Sequence, residues 1–104
     1  MILVKHNNDE ITALGHSGYD VPQKDIVCSA VSTAFKITVG VLTEMNVKFK
    51  FESEAKTGFI GIKINHEDLN KAKPVTKTLI YALKSIATSY PKNLQVHRTL
   101  TGNA

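Results

Sequence analysis

Asp25-Ile26-Val27-Cys28-Ser29-Ala30-Val31-Ser32 opens a stretch of helical periodicity that runs over residues 25–45, and its reading decides the fold. Asp25 is the residue type that caps a helix N-terminus. At about 100° per residue, Val27, Ala30, Val31, Ala34, Phe35, Val41, Leu42 and Met45 share one broad face. Ser29, Thr33, Lys36 and Thr43 fall opposite. The apolar arc spans about 200°, wider than the roughly 100° stripe that one-sided burial needs. Its own sheet can cover only part of it, so a second copy of the chain is the expected cover for the remainder.

Outward from this helix the chain alternates between strand and helix signals. Residues 2–6 and 10–15 read as two strands around the turn Asn7-Asn8-Asp9, whose side chains tolerate left-handed backbone angles. Residues 15–24 contain Gly15, Gly18 and Pro22, have no periodicity, and read as a mobile loop. Val47-Lys48-Phe49-Lys50-Phe51 alternates with period two, and Phe59-Ile60-Gly61-Ile62-Lys63-Ile64 is a second strand across a polar hairpin loop over residues 52–58. Val75, Leu79, Ala82, Leu83, Ile86 and Tyr90 recur at helical spacing, giving a helix over residues 70–89, with Pro74 in its first turns or at its true start. Pro91 ends it, residues 94–99 form a last strand, and 101–104 a frayed tail. The order is β-β-α-β-β-α-β. The expected fold is α+β: a two-layer sandwich, two helices packed on one face of a mostly antiparallel sheet, as a single domain over residues 1–104.

The 104 residues suit one small domain, and a 42% hydrophobic share is too high for a disordered chain. No apolar run is expected to approach the roughly 20 residues of a membrane span. Met1-Ile2-Leu3-Val4-Lys5 reads as a strand rather than a signal peptide. One cysteine excludes a disulfide scaffold and points to the reducing cytoplasm. Thirteen Lys+Arg against nine Asp+Glu give a net charge of +4, but Lys71, Lys73, Lys77 and Lys84 are spread along the second helix as a solvated face would be.

The chemistry concentrates around Gly15-His16-Ser17-Gly18 and Cys28. With Asp25 as cap, Cys28 is the third helical residue, among backbone N–H groups that lack intrahelical partners. Helix N-termini stabilise anions, and the thiolate is the reactive form of cysteine. His16, twelve residues upstream, can take the thiol proton and return it to a leaving amine. The same free N–H groups are the expected donors to an oxyanion. Ser32, one turn beyond Cys28, is placed to line the pocket. Each part also has a plainer reading. Asp25 serves as a cap alone, Ser32 as a surface hydroxyl, and Cys28, at the margin of the apolar arc, as an ordinary buried cysteine. His6, His66 and His97 have no motif around them and read as surface or strand-edge residues.

The words Gly15-His16-Ser17-Gly18-Tyr19 and Asp25-Ile26-Val27-Cys28-Ser29-Ala30-Val31-Ser32, at this separation, resemble the Prp family of bacterial ribosomal-processing cysteine proteases. The resemblance extends over nearly the whole chain, including Tyr90-Pro91 before the last strand. It implies a catalytic dyad of His16 and Cys28 with Asp25 as an assisting residue, beside which Ser32 stands as the assisting candidate read from its place one turn beyond Cys28. It implies an activity that removes a short N-terminal extension from a large-subunit ribosomal protein precursor, after a hydrophobic, aromatic-containing sequence. It also implies a homodimer, and a mobile substrate-binding loop that here includes Ser17, Gly18, Tyr19 and Val21. No cofactor, metal, membrane or direct nucleic-acid contact is expected. The chain departs from the family at Ser17, where alanine is usual, and at Gln23, where glycine is common after Pro22.

Two other function classes compete. A non-enzymatic ribosome- or RNA-associated module would use the net positive charge. Phe49 and Phe51 share one face and are expected in the core, so they do not read as a base-stacking platform. A thiol redox sensor would use Cys28 but has no resolving cysteine in this chain. An enzyme needs both His16 and Cys28, an RNA module neither, and a redox sensor only Cys28.

Overall fold

A computed structural model of the chain describes residues 1–20 and 25–99. The strands are β1 (Ile2–His6), β2 (Glu10–Leu14), β3 (Phe49–Glu54), β4 (Phe59–Ile64) and β5 (Leu94–Arg98), and the helices are α1 (Ile26–Glu44) and α2 (Leu69–Ser89). The element order is the one the sequence predicts. The strands form one sheet in the order β3-β4-β2-β1-β5, antiparallel throughout except for the parallel β1–β5 pair. In register, Val4 stands between Ala13 and Val96, and Ile11 lies opposite Ile62.

Strand alternation sorts the side chains. Ile2, Val4, Ile11, Ala13, Ile60, Ile62, Ile64 and Leu94 are buried on one sheet face beneath Val27, Val31, Phe35 and Leu42 of α1 and Ala72, Leu79 and Leu83 of α2. The β1–β2 turn is fixed by the Asn7 side chain, whose Oδ1 accepts the N–H groups of Asp9 and Glu10 at 3.1 and 2.9 Å. Helix α1 ends where Asn46 takes a positive φ of 59° and Val47 donates back to the Leu42 carbonyl at 3.0 Å.

Several expectations need correcting. The buried stripe of α1 is Val27, Val31, Phe35, Thr38 and Leu42, narrower than the arc read from the wheel. Val41 lies outside it and is exposed, as are Ile26 and Ile37. Thr38 joins the stripe because its hydroxyl is satisfied within the helix, on the Ala34 carbonyl at 2.8 Å. At 19 residues α1 is long and apolar enough to meet the length and composition of a membrane-crossing helix, contrary to the sequence reading; only Lys36 and Glu44 are charged. Its buried stripe forms the core of the domain. Phe51 is exposed and Phe49 half-buried, because β3 is an edge strand while α1 lies over β4 and α2 over β5. His6 is buried, not a surface residue: it continues the inward alternation of Ile2 and Val4. Its Nδ1 has no hydrogen-bond partner. Burial, then the positive charges of Arg98 and Lys84, hold its imidazole below the ordinary 6.5. Pro74 sits inside α2, which begins at Leu69 after a short 3-10 turn.

Candidate active site

The start of α1 is organised by Asp25, a buried residue with an extended backbone. Its Oδ1 accepts the N–H groups of Val27 and Cys28, each at 3.0 Å. Its main-chain carbonyl accepts Ser29 N–H at 3.1 Å. The expected cap is present, and it occupies two of the donors that the sequence reading left for an oxyanion, Val27 and Cys28 N–H, while Ser29 N–H makes the first bond of the helix. The helical N–H groups of Val27 and Cys28 are therefore not free donors, and that part of the expectation is corrected. The carboxylate also places a negative charge at the helix end, so the helix field there already meets an anion.

The other carboxylate oxygen, Oδ2, accepts the hydroxyl of Ser17. Burial of Asp25 opposes its ionisation. Hydrogen bonds from Ser17 and from the N–H groups of Cys28, Asp20 and Val27 outweigh this and hold the carboxyl below its ordinary 3.8. Both oxygens are thus committed to the cap and to Ser17.

Ser17 is itself only 2% exposed. Its N–H points at Cys28 Sγ at 3.4 Å, its Oγ accepts Tyr19 N–H at 3.1 Å, and its carbonyl accepts Asn93 Nδ2 at 2.9 Å. The ring of Tyr19 meets Tyr90 edge-on at 5.3 Å. The beginning of the expected mobile loop is therefore anchored, both to α1 and to the chain beyond α2. Gly18 takes a φ of +71° with open space around it, and Tyr19 is 46% exposed. Val21 and Gln23 lie outside the described residues.

His16 is held from the opposite side. Gly15 has a φ of +110°, and a Cβ there would lie 2.5 Å from the Met1 carbonyl oxygen. Gly15 N–H donates to the Gly58 carbonyl at 3.2 Å. Gly58, in the β3–β4 turn with a φ of +69°, passes so close that a Cβ would run into the Gly15 carbonyl oxygen and approach the imidazole Cε1 to 3.2 Å. Two glycines packed back to back thus set the backbone that carries His16.

The exposed His16 and half-buried Cys28 line one cavity of about 220 Å³. Ser32 lines it too, with Val31, Ile60 and Phe59 as apolar wall and Glu54 at the hairpin side. Asp25 is not part of the lining; it stands behind the thiol. Sequence reasoning missed the hairpin wall, Gly58 and Asn93. A glycine at the end of a polar hairpin was the only visible signal for the first two, and the Asn93 contact spans 76 residues. The arrangement brings a thiol and an imidazole to one opening with an apolar wall and directs a buried peptide N–H at the thiol sulfur, parts that nucleophilic acyl transfer requires. Among the described residues no three His, Cys, Asp or Glu side chains gather as a metal-binding group.

Comparison with known proteins points the same way. The sequence model of the family "Cysteine protease Prp" matches residues 1–95. No curated protein sequence matches the chain significantly. Among solved structures, the essential ribosomal processing protease Prp from Staphylococcus aureus, in complex with a covalently linked product peptide, superposes with a TM-score of 0.84 at 19% identity, over 95% of this chain and 100% of that one. The same S. aureus protease with a substrate peptide gives 0.77 at 16% identity, over 94% and 97%. SMU.848 from Streptococcus mutans gives 0.78 at 17% identity, over 94% and 91%. At these identities the likeness establishes the shared fold.

Proposed function

The chain belongs to the cysteine protease Prp family, and from that premise we propose that it is the endopeptidase that removes a short N-terminal extension from a large-subunit ribosomal protein precursor. The observation that carries the reading is the convergence of His16 and Cys28, twelve residues apart, on one cavity with Ser17 N–H directed at the sulfur. The structural likeness to a ribosomal processing protease with peptide bound supports the substrate class.

In this mechanism His16 takes the Cys28 proton, and the thiolate attacks the scissile carbonyl carbon. The C–S bond forms and the imidazolium protonates the leaving amine as the C–N bond breaks. Water, deprotonated by His16, then attacks the thioester and releases the thiolate. Asp25 holds the helix start and Ser17 behind the nucleophile, and Ser32 lines the opening. The apolar wall of Val31, Phe59 and Ile60 receives hydrophobic side chains of the substrate. Tyr19, exposed beside Gly18, is a further contact for them. The enzyme works in the cytoplasm as a homodimer, a reading supported by the exposed Ile26, Ile37 and Val41 on one helix.

The test is incubation with the ribosomal protein precursor encoded in the same genome, followed by intact-mass analysis. The expected result is one product lacking the N-terminal extension. An uncut precursor at stoichiometric enzyme would overturn the substrate assignment.

A further inference from the structure

We infer that Asn93, in the turn before β5, is a positioning residue for the reaction: its side-chain amide holds the Ser17–Gly18 peptide, and with it the position of Ser17, whose N–H in the preceding His16–Ser17 peptide is directed at the Cys28 sulfur. The inference rests on the reading of Cys28 as nucleophile and His16 as base.

Ser17 has three polar groups besides its role as acceptor for Tyr19. Its hydroxyl goes to Asp25, its N–H to Cys28 Sγ, and its carbonyl to Asn93. The first two partners belong to the segment that bears the nucleophile. Only the third comes from elsewhere in the fold. Asn93 is well placed for it because its own main chain is committed on both sides: its N–H donates to the Tyr90 carbonyl at 3.0 Å, and its carbonyl accepts Ile2 N–H at 2.9 Å. The amide is therefore anchored to the end of α2 and to β1 before it reaches Ser17. The Tyr19–Tyr90 ring contact ties the same two segments together one step further along.

The consequence is chemical. With Val27, Cys28 and Ser29 N–H groups engaged by Asp25, the Ser17 N–H is the donor that faces the sulfur. A donor aimed at a thiolate favours that form, but only while its peptide plane is held. Release of the Ser17 carbonyl frees the Ser17–Gly18 peptide and removes one of the anchors of the Ser17 Cα, so the preceding His16–Ser17 peptide, which carries the N–H, is less firmly oriented. It also loosens His16, whose other neighbour, Gly15, is fixed through Gly58. A small misplacement of a base or nucleophile costs rate while leaving substrate affinity intact.

Three variants separate this role from packing. Asn93→Ala removes the donor and the bulk, Asn93→Asp keeps the shape but presents acceptors in place of the donor, and Asn93→Gln retains a donor. The readouts are the Cys28 alkylation rate with iodoacetamide at pH 7, hydrogen exchange at Ser17 N–H, kcat and KM, and the melting temperature. Asn93→Ala and Asn93→Asp are expected to slow alkylation about five- to tenfold and to speed Ser17 exchange. They should lower kcat by at least as much with KM little changed, and Asn93→Gln should recover part of the loss. Folded Asn93→Asp protein that alkylates, exchanges and cleaves at wild-type rates would overturn the inference. So would variants whose only change is a lower melting temperature. Alkylation and exchange need no proteolysis, so failure of the precursor assignment and failure of this role are read separately.

Discussion

At the scale of the residue, the buried hydroxyl of Ser17 has a structural partner. It meets Asp25, the same carboxylate that caps α1 at Val27 and Cys28. Removal of that carboxylate therefore loses more than a cap. Asp25→Ala is expected to destabilise the protein by about 2–4 kcal/mol, combining roughly 1 kcal/mol for the cap with the cost of a buried hydroxyl left unpaired. Asp25→Asn should cost less, because its side-chain oxygen still caps the helix and its NH₂ can donate to Ser17 Oγ. Chemical denaturation of both variants checks the order. An Asp25→Ala loss below that of Asp25→Asn would contradict the dual role. His6 gives a second residue-scale expectation. Its pKa is lowered in the fold from 6.5, so the folded state resists its protonation. Its contribution to stability is complete above about pH 6.5 and declines as the pH falls below it. Asp25, lowered from 3.8, adds a further loss beginning below that value. Denaturation midpoints from pH 8 to 4 should fall chiefly below 6.5, and His6→Leu should flatten that limb. An unchanged limb in His6→Leu would assign it to other groups.

At the scale of the element, the site depends on a hairpin that contributes no reacting atom. Gly58 of the β3–β4 turn packs against Gly15 and approaches the His16 ring. Gly58→Ala places a methyl where the Gly15 carbonyl stands and strains a backbone of φ +69°. It should lower stability by about 1–3 kcal/mol and cleavage at least tenfold. Cleavage within twofold of wild type, with Cys28 alkylation intact, would show that His16 is positioned otherwise. The elements themselves were legible in the sequence. The period of 3.6 in α1 and α2, the alternation at 59–64 and the turn residues Asn7 and Pro91 are local signals. What was not legible depends on neighbours in the sheet. Phe51 alternates like a core residue but lies on an edge strand and is exposed, and His6 lacks a motif yet continues an inward strand face. The Asp25 cap was legible for the same local reason as the helices. The occupation of its N–H groups, the hairpin wall and Asn93 were not, since they arise from contacts between distant segments.

At the scale of the whole molecule, α1 has two apolar faces and the domain uses one. Ile26, at 52% exposed, and Ile37, at 62%, remain uncovered, and they flank an apolar groove between α1 and α2. A symmetric dimer through this face is the expected cover. Light scattering at micromolar concentration should give twice the chain mass for wild type and a monomer for Ile37→Glu; a wild-type monomer would contradict it. Because Ser17, Asp25 and Cys28 bond within one chain and His16 lines the same cavity as Cys28, a dimer is expected to hold a full site in each subunit, and mixing Cys28→Ala with His16→Ala subunits should restore no activity. The central claim is the His16–Cys28 pair, and the rate of precursor cleavage in three proteins tests it most directly. Wild type should cut, Cys28→Ala should show no product, and folded His16→Ala should be slower by about 10²–10⁴. Cleavage at the wild-type rate by either variant would contradict the account.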